Sequence, residues 1–379
     1  MSSTGSWRAR RRLALVVTIA MGLALAGCGG SGSGPGGADG GGATAKLRFS
    51  YFSGETTSFG KLWTWWMAEV EKRSGGTVEF EPFWDGTLLK AEEVADGLKD
   101  GRVDISQVTP SYYLGKFPLT SVAELPFVTA NVPAGAAAMT ALAGEDRELQ
   151  DEWRKQGLKP VVWNVAPSSA FGSKDPVVSV ADLRGKKVRG IDRSAKALAA
   201  VGANIVTVGV PEMYGSMERS LINAYFGIPL GFVGPLKLNE VSDHLTDLGM
   251  GISTASALSM SDQGWNKLTP EQRRVMVEVS AEAPAKLATF DAEAEDASCK
   301  ALRESGTDVR ELPAAEVQRL KGAIRDRVHG EWEREIGGKG LPAAAFADRY
   351  ERAVGTAAKT YPDYVPGVAR CVRSGGSAR

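Results

Sequence analysis

Histidine is almost missing from this chain: of 379 residues, only His244 and His329 carry an imidazole. No Gly-x-Ser-x-Gly elbow, His-Glu-x-x-His pair or phosphate-binding glycine loop occurs. No nucleophile is therefore set beside a base, the pattern speaks against an enzyme, and both histidines read as surface or structural residues. Cysteine is scarce too. Cys28 stands apart, and Cys299 and Cys371 are too far separated to form a zinc-ligand pattern. Outside the cell those two are permitted to pair, although sequence alone does not bring them together. No apolar run reaches the roughly 18 residues needed to cross a bilayer. Nor does either sign of charge dominate, with 45 basic and 45 acidic side chains. Without a long basic stripe, nucleic acid is not expected as a partner. No internal repeat is visible.

What is present begins with an export signal. Arg8, Arg10, Arg11 and Arg12 precede a 14-residue apolar stretch from Leu13 to Ala26, the length of a signal-peptide core. It ends Leu25-Ala26-Gly27-Cys28, which resembles the lipobox of bacterial lipoproteins. That resemblance implies removal of residues 1–27 as a signal peptide and a diacylglycerol on Cys28. It would place the protein at the outer face of the cytoplasmic membrane, or in the periplasm, held by its lipid. The competing reading is an ordinary secretory peptide with a cysteine after it by chance. Residues 29–42 hold nine glycines and cannot bury apolar area, so 28–44 form a lipidated, flexible tether. Cleavage removes four arginines and no acids, leaving 41 basic against 45 acidic side chains, a net of −4.

From about Lys46 onward the chain is long enough for two packed lobes. Residues 47–52 alternate as a strand. Phe59, Leu62, Trp63, Trp66, Met67 and Val70 recur at helical spacing over 59–72, and Gly75-Gly76 ends that helix. A strand at 77–83, a helix at 91–100 and a strand at 103–108 follow. This β-α-β-α-β order predicts a largely parallel sheet with helices on both faces. A helix over 134–156, a strand at 160–164 and a crossing between lobes near Ala166–Ser169 come next. Strands at 187–191 and 204–208 flank a helix near 194–201, Pro211 opens a helix with Glu212 in its first turn, and 222–228 is an apolar strand. Thr269-Pro270-Glu271-Gln272 is a capping box. The helix it starts runs to about Glu304, long enough to brace both lobes. Helices near 314–335 and 343–360 close the chain.

Residues 181–190, Ala-Asp-Leu-Arg-Gly-Lys-Lys-Val-Arg-Gly, are the most informative stretch. Gly185 breaks a short turn and Lys186 to Arg189 leave it as a basic strand. Arg189 falls at the strand end, where its guanidinium fork suits a carboxylate. Alone, the segment also fits a solvated basic turn.

Its surroundings carry a family resemblance. Gly75-Gly76-Thr77-Val78, Gly101-Arg102-Val103-Asp104, Leu125-Pro126-Phe127, the run Asp182 to Arg189, Gly202-Ala203, Glu212 and Tyr214 stand in one order over about 150 residues. Together they resemble the substrate-binding proteins of TRAP transporters, the DctP-type family. The resemblance implies an α/β, two-lobed, periplasmic-binding-protein-like fold, each lobe a sheet flanked by helices, with a long helix bridging the lobes. The expected lobes are 45–166 plus 254–293 and 167–253 plus 294–379. It also implies a receptor, without cofactor or metal, that closes on an organic acid and delivers it to the TRAP permease membrane subunits, driven by an ion gradient. The family's ligand-pairing arginine corresponds to Arg189.

The chain departs from the family pattern in places. No second arginine lies about 20 residues earlier, where Ser169 and its neighbours stand. Tyr225-Phe226-Gly227-Ile228-Pro229 replaces an expected asparagine, and Gly190-Ile191 an expected proline. Aromatics crowd strand ends and loops, where clefts of such folds open. The expected ligand set is therefore Arg189, Ser169, Phe171, Glu212, Phe226, Gly227, Trp84, Tyr112 and Phe59. The expected ligand is an apolar or aromatic monocarboxylate rather than a C4-dicarboxylate. A ligand-sensing lipoprotein reporting to a membrane sensor kinase, and a secreted enzyme on a similar fold, are the competing functions.

Overall fold

The computed structural model describes residues 44–113, 115–167, 169–252 and 254–374. The signal peptide, Cys28 and nearly all of the tether lie outside them. In chain order the strands are β1 (Ala45–Ser50), β2 (Val78–Phe83), β3 (Ile105–Val108), β4 (Leu158–Val165), β5 (Ser169–Ser173), β6 (Lys187–Arg189), β7 (Asn204–Val206), β8 (Ala224–Pro229), β9 (His244–Asp247), β10 (Ala255–Ser261) and β11 (Asp308–Glu311). They form two sheets, ordered β2-β1-β3-β10-β4 and β11-β9-β5-β8-β6-β7. The helices are α1 (Ser58–Arg73), α2 (Val94–Lys99), α3 (Val132–Glu145), α4 (Arg147–Lys155), α5 (Arg193–Ala197), α6 (Met213–Glu218), α7 (Leu230–Val233), α8 (Asp262–Lys267), α9 (Pro270–Glu304), α10 (Ala314–Gly337), α11 (Ala343–Ala358) and α12 (Gly367–Ser374).

The sheets are not purely parallel. β1 runs parallel to β2 and β3, but β10 returns from the other lobe and inserts antiparallel between β3 and β4. In the second sheet β5 plays the matching role, antiparallel to β8 and β9. Each lobe thus contains one reversed strand whose chain has just crossed from its neighbour. β5, β9, β10 and β11 are strands that hydrophobic periodicity did not mark.

Local signals explain the best-defined helices. Thr57 caps α1, its hydroxyl accepting from Gly60 N–H at 3.1 Å. One face of α1 buries Phe59, Leu62, Trp63, Trp66, Met67 and Val70. Gly75 and Gly76 then turn the chain with φ of 62° and 78°, a left-handed conformation that favours glycine. α9 starts with the Thr269–Gln272 capping box and Pro270 in its first turn. Its 35 residues span about 52 Å at 1.5 Å per residue. The first half packs on α1 and β4, the second on α7 and α12. Ser298 on that second half accepts from Gly234 N–H at 3.1 Å.

Elsewhere the boundaries moved. The expected helix over 134–156 is two, because Asp146 leaves helical geometry and caps α4 through Leu149 N–H at 3.0 Å. Residues 91–93 are a 3-10 turn ahead of α2, and Pro211 and Glu212 lie in a 3-10 turn ahead of α6. The tail does not follow one lobe. α11 lies along α3, and Arg349 reaches Asp146 at 2.7 Å. α12 sits against α9 and β11. Residues 343–358 therefore depart from the expected grouping of 294–379 with the second lobe. Both histidines are structural: His329 Nε2 is 3.0 Å from Pro126 O and His244 Nδ1 is 3.3 Å from Asp308 Oδ2.

Cys299 on α9 and Cys371 on α12 form a disulfide, with Cα atoms 5.7 Å apart. It closes a 72-residue separation, for which loop-closure entropy predicts about 4 kcal/mol. Calorimetry of a Cys299→Ser, Cys371→Ser protein should show a lower Tm than the oxidised parent. Equal Tm values would show that the bond contributes nothing to stability.

Candidate ligand-binding site

β6 ends at Arg189, next to β8, and this register carries the guanidinium inward rather than into solvent. Arg189 is fully buried. Its Nε donates to Val208 O at 2.9 Å, and longer contacts run from Nη1 to Phe226 O at 3.5 Å and from Nη2 to Tyr112 Oη at 3.4 Å. Among the described residues no carboxylate oxygen lies within the 4.0 Å of an ion pair, in contrast to Arg73, Arg193 and Arg370, which each hold one. The solvated-turn reading of this segment is thereby set aside. A planar cation is fixed in place with its charge available to an incoming group.

Asp192, three residues after Arg189, caps α5 and lies within electrostatic reach of the guanidinium. Its Oδ1 accepts from Ala195 N–H at 2.6 Å. Burial pushes its carboxyl up to about 6, against the pull of that N–H and of the Arg189 charge. Glu124, from the Glu-Leu-Pro-Phe run, is also buried. It accepts from Ser111 Oγ at 2.6 Å and from Arg193 N–H at 2.8 Å. Burial raises it to about 7, with Asp192 adding to the effect.

Arg189 opens onto a cavity of about 60 Å³ between the lobes. One side is aromatic, with Phe59 and Phe232 edge to face at 5.9 Å, one from each lobe. Phe52 and Tyr112 meet at 5.8 Å and lead outward. A wider recess of about 450 Å³ begins at these two rings and is lined further by Ile191, Val210, Lys90, Lys196 and Glu212. Among the described residues lining the inner cavity, Arg189 is the one cation and none is an acid.

Of the expected residues, Arg189, Phe59, Tyr112 and Gly227 come together around the inner cavity. Gly227 has φ 81°, and a Cβ there would lie 2.5 Å from Asp192 Oδ2, so the close approach needs glycine. Glu212 stands on the outer rim, exposed. Four residues belong elsewhere. Phe171 is in the second lobe's core, pairing with Phe226 at 6.5 Å. Phe226 gives the site only its carbonyl. Trp84 packs behind the wall on Phe49 and Tyr51, at 5.3 and 6.2 Å. Ser169 is buried opposite Pro229 at the start of β5, away from the cavity lining. For Phe171, Phe226 and Ser169, on β5 and β8, strand pairing chose the face. Gln107, Thr109, Thr254 and Ser256 also line the cavity and were not anticipated. The one signal for Gln107 and Thr109 was their place at the carboxyl end of a parallel strand. Thr254 and Ser256 had none, because β10 was not recognised.

The site is a cleft between two α/β lobes with a buried cation that has no ion pair among the described residues. Residues 49–335 match the model for DctP, bacterial extracellular solute-binding protein family 7, and the chain belongs to that family. It is a substrate-binding protein of the TRAP class and not an enzyme. It is 24% identical over 271 residues to the 2,3-diketo-L-gulonate-binding periplasmic protein YiaO of Escherichia coli, covering 70% of this chain and 81% of that one. Its fold is similar to a TRAP solute-binding protein from Rhodoferax ferrireducens in complex with copurified benzoate (TM-score 0.78, 23% identity, 84% of this chain and 100% of the other). It is similar also to a marine-metagenome TRAP solute-binding protein specific for aromatic acid ligands, in complex with metahydroxyphenylacetate (TM-score 0.76, 23% identity, 82% and 99%).

The buried acids set a pH dependence. Burial raises Glu124, Glu152 and Asp291 to about 7 and Asp192 and Glu295 to about 6. The folded protein holds these protons where the unfolded chain has already released them. The resulting stability is full below the unfolded carboxyl range near pH 4 and is lost as pH rises through about 6 to 7. His329, lowered by burial, opposes this with a single group. Thermal melts should therefore show a higher Tm near pH 5.5 than near pH 8. A flat or reversed profile would show that these carboxyls are ionised in the fold.

Proposed function

We propose that this protein is an exported receptor, anchored by a lipid on Cys28, that captures an aromatic or apolar monocarboxylate between its lobes and delivers it to a TRAP permease. The observation that carries the ligand class is Arg189: a buried fork with no internal carboxylate, facing an aromatic cavity. One cation and no second arginine favour a single carboxylate over a C4-diacid. Bidentate pairing in a site that dries on closure would be strong and directional. Phe59 and Phe232 supply flat apolar walls for a ring. Benzoate and metahydroxyphenylacetate, bound by the two proteins of similar fold, agree with this chemistry. Lobe closure follows from ligand contacts to both lobes: Arg189 and Phe232 in one, Phe59 and Tyr112 in the other. The lobes are taken as 45–166 plus 254–293 and 167–253 plus most of the tail. Chain crossings near Ala166–Ser169 and Ile252–Ala255, together with α9, form the hinge. Release of the acid to the permease, using an ion gradient, follows from the family.

A thermal-shift panel of C4-diacids, sugar acids, keto acids and aromatic monoacids tests the class. Only aromatic or apolar monoacids should raise Tm, by an amount equivalent to about 2.7 kcal/mol at 100 times Kd. A shift confined to small diacids or sugar acids would overturn the reading. Arg189→Gln should keep its circular dichroism spectrum and weaken the responding acid at least tenfold. Retained affinity would make Arg189 a purely structural residue.

A further inference from the structure

The lining of the inner cavity is polar as well as aromatic. Gln107 and Thr109 sit at the end of β3 and Ser256 on the adjoining β10, and all three line the cavity. Asn164 on β4 stands directly opposite Ser256 in the antiparallel pair, so it shares that face of the sheet. The four form a row across three strands. Each is more than nine-tenths buried, Asn164 being 1% exposed and Ser256 2%.

Their hydrogen bonds do not balance. Gln107 Oε1 accepts from Trp63 Nε1 at 3.1 Å, which fixes the amide so that its NH2 points along the row. Gln107 Nε2 makes one long contact, 3.4 Å, to Thr109 Oγ1. Ser256 Oγ and Thr109 Oγ1 are 3.2 Å apart. Ser256 donates and Thr109 Oγ1 accepts, so the Thr109 O–H proton is left over. Gln107 keeps a second N–H. Asn164, whose amide atoms also have no partner among the described residues, stands beside these groups but does not line the cavity. Buried donors and acceptors left this way are costly, and a row of them against a cavity is the signature of a place completed by a ligand. No charged group lies in the row, so the missing group is neutral and both donates and accepts.

We infer that the solute is a hydroxylated aromatic monocarboxylate, its carboxylate on Arg189 and its ring hydroxyl on Gln107, Thr109 and Ser256. This rests on the monocarboxylate reading above and narrows it. The hydroxyl accepts from Gln107 Nε2 or the spare O–H and donates back to a hydroxyl oxygen of the pair. The aromatic side walls decide shape, while the polar groups decide which ring substituents are accepted. A site built to bond a hydroxyl discriminates strongly against the analogue that lacks it.

Calorimetric titration with benzoate, 3-hydroxybenzoate, 4-hydroxybenzoate and their methoxy counterparts tests the inference on the wild-type protein and on Thr109→Val and Ser256→Ala. In the wild type at least one hydroxy acid should bind tenfold or more tighter than benzoate, and its methoxy counterpart should lose that gain. In each variant the hydroxy acid should lose more affinity than benzoate, so the ratio falls toward one. If Thr109→Val fails to fold, Ser256→Ala alone carries the comparison. Equal wild-type affinities for benzoate and every hydroxy acid would overturn the inference while leaving the monocarboxylate reading standing. So would a ratio that survives in both variants. Failure of every aromatic acid would overturn the inference, and the monocarboxylate reading would then rest on the apolar monoacids of the thermal-shift panel.

Discussion

A guanidinium buried without a carboxylate is the constraint around which this molecule is organised. Taking Arg189 out of water is expensive, and ordinary cores neutralise such a group with a directly bonded acid. Here three oxygens, Val208 O, Phe226 O and Tyr112 Oη, hold the fork, and Asp192 compensates the charge from outside ion-pair distance. The result is a rigid, partly satisfied cation. On the proposed reading a ligand carboxylate completes it, in the dry cleft that closure would make. Affinity and conformational change therefore share one origin.

The fold exists to bring that cation to a second surface. β6 presents Arg189 from one lobe, while α1 and the loop after β3 bring Phe59 and Tyr112 from the other. Two reversed strands, β5 and β10, carry the chain across, and α9 braces both sides. The reversed strands have a functional consequence as well as a topological one. β10 inserts Ser256 beside Thr109 and Asn164, adding a polar group to a cavity whose walls are aromatic. The inner cavity thus combines one buried cation, aromatic rings and neutral polar side chains in a single lining.

Much of this was legible before any coordinates, and the exceptions have a common cause. Local signals held. The Thr269–Gln272 capping box started α9, Gly75-Gly76 ended α1, and Arg189 stood at a strand end because Gly185 broke the turn ahead of it. What failed depended on pairing between distant segments. Ala255–Ser261 is a run of small and polar residues with little periodicity, and it becomes a strand only because β3 and β4 flank it. Phe171 and Trp84 lay near strand ends but faced away from the cleft. A strand's register decides its face, and a shift of one residue reverses it. Phe226 contributed a carbonyl, an atom every residue has, so its side chain gave no clue. The Asp146 break between α3 and α4 was masked because apolar spacing continues across it.

The most direct test of the central claim is a crystal structure of residues 45–379 grown with a bound aromatic monocarboxylate. The account predicts closed lobes, the carboxylate within hydrogen-bond distance of the Arg189 guanidinium and the ring packed against Phe59 and Phe232. A ligand seated elsewhere, or one whose carboxylate is held by another cation with Arg189 left on its three internal oxygens, would contradict it.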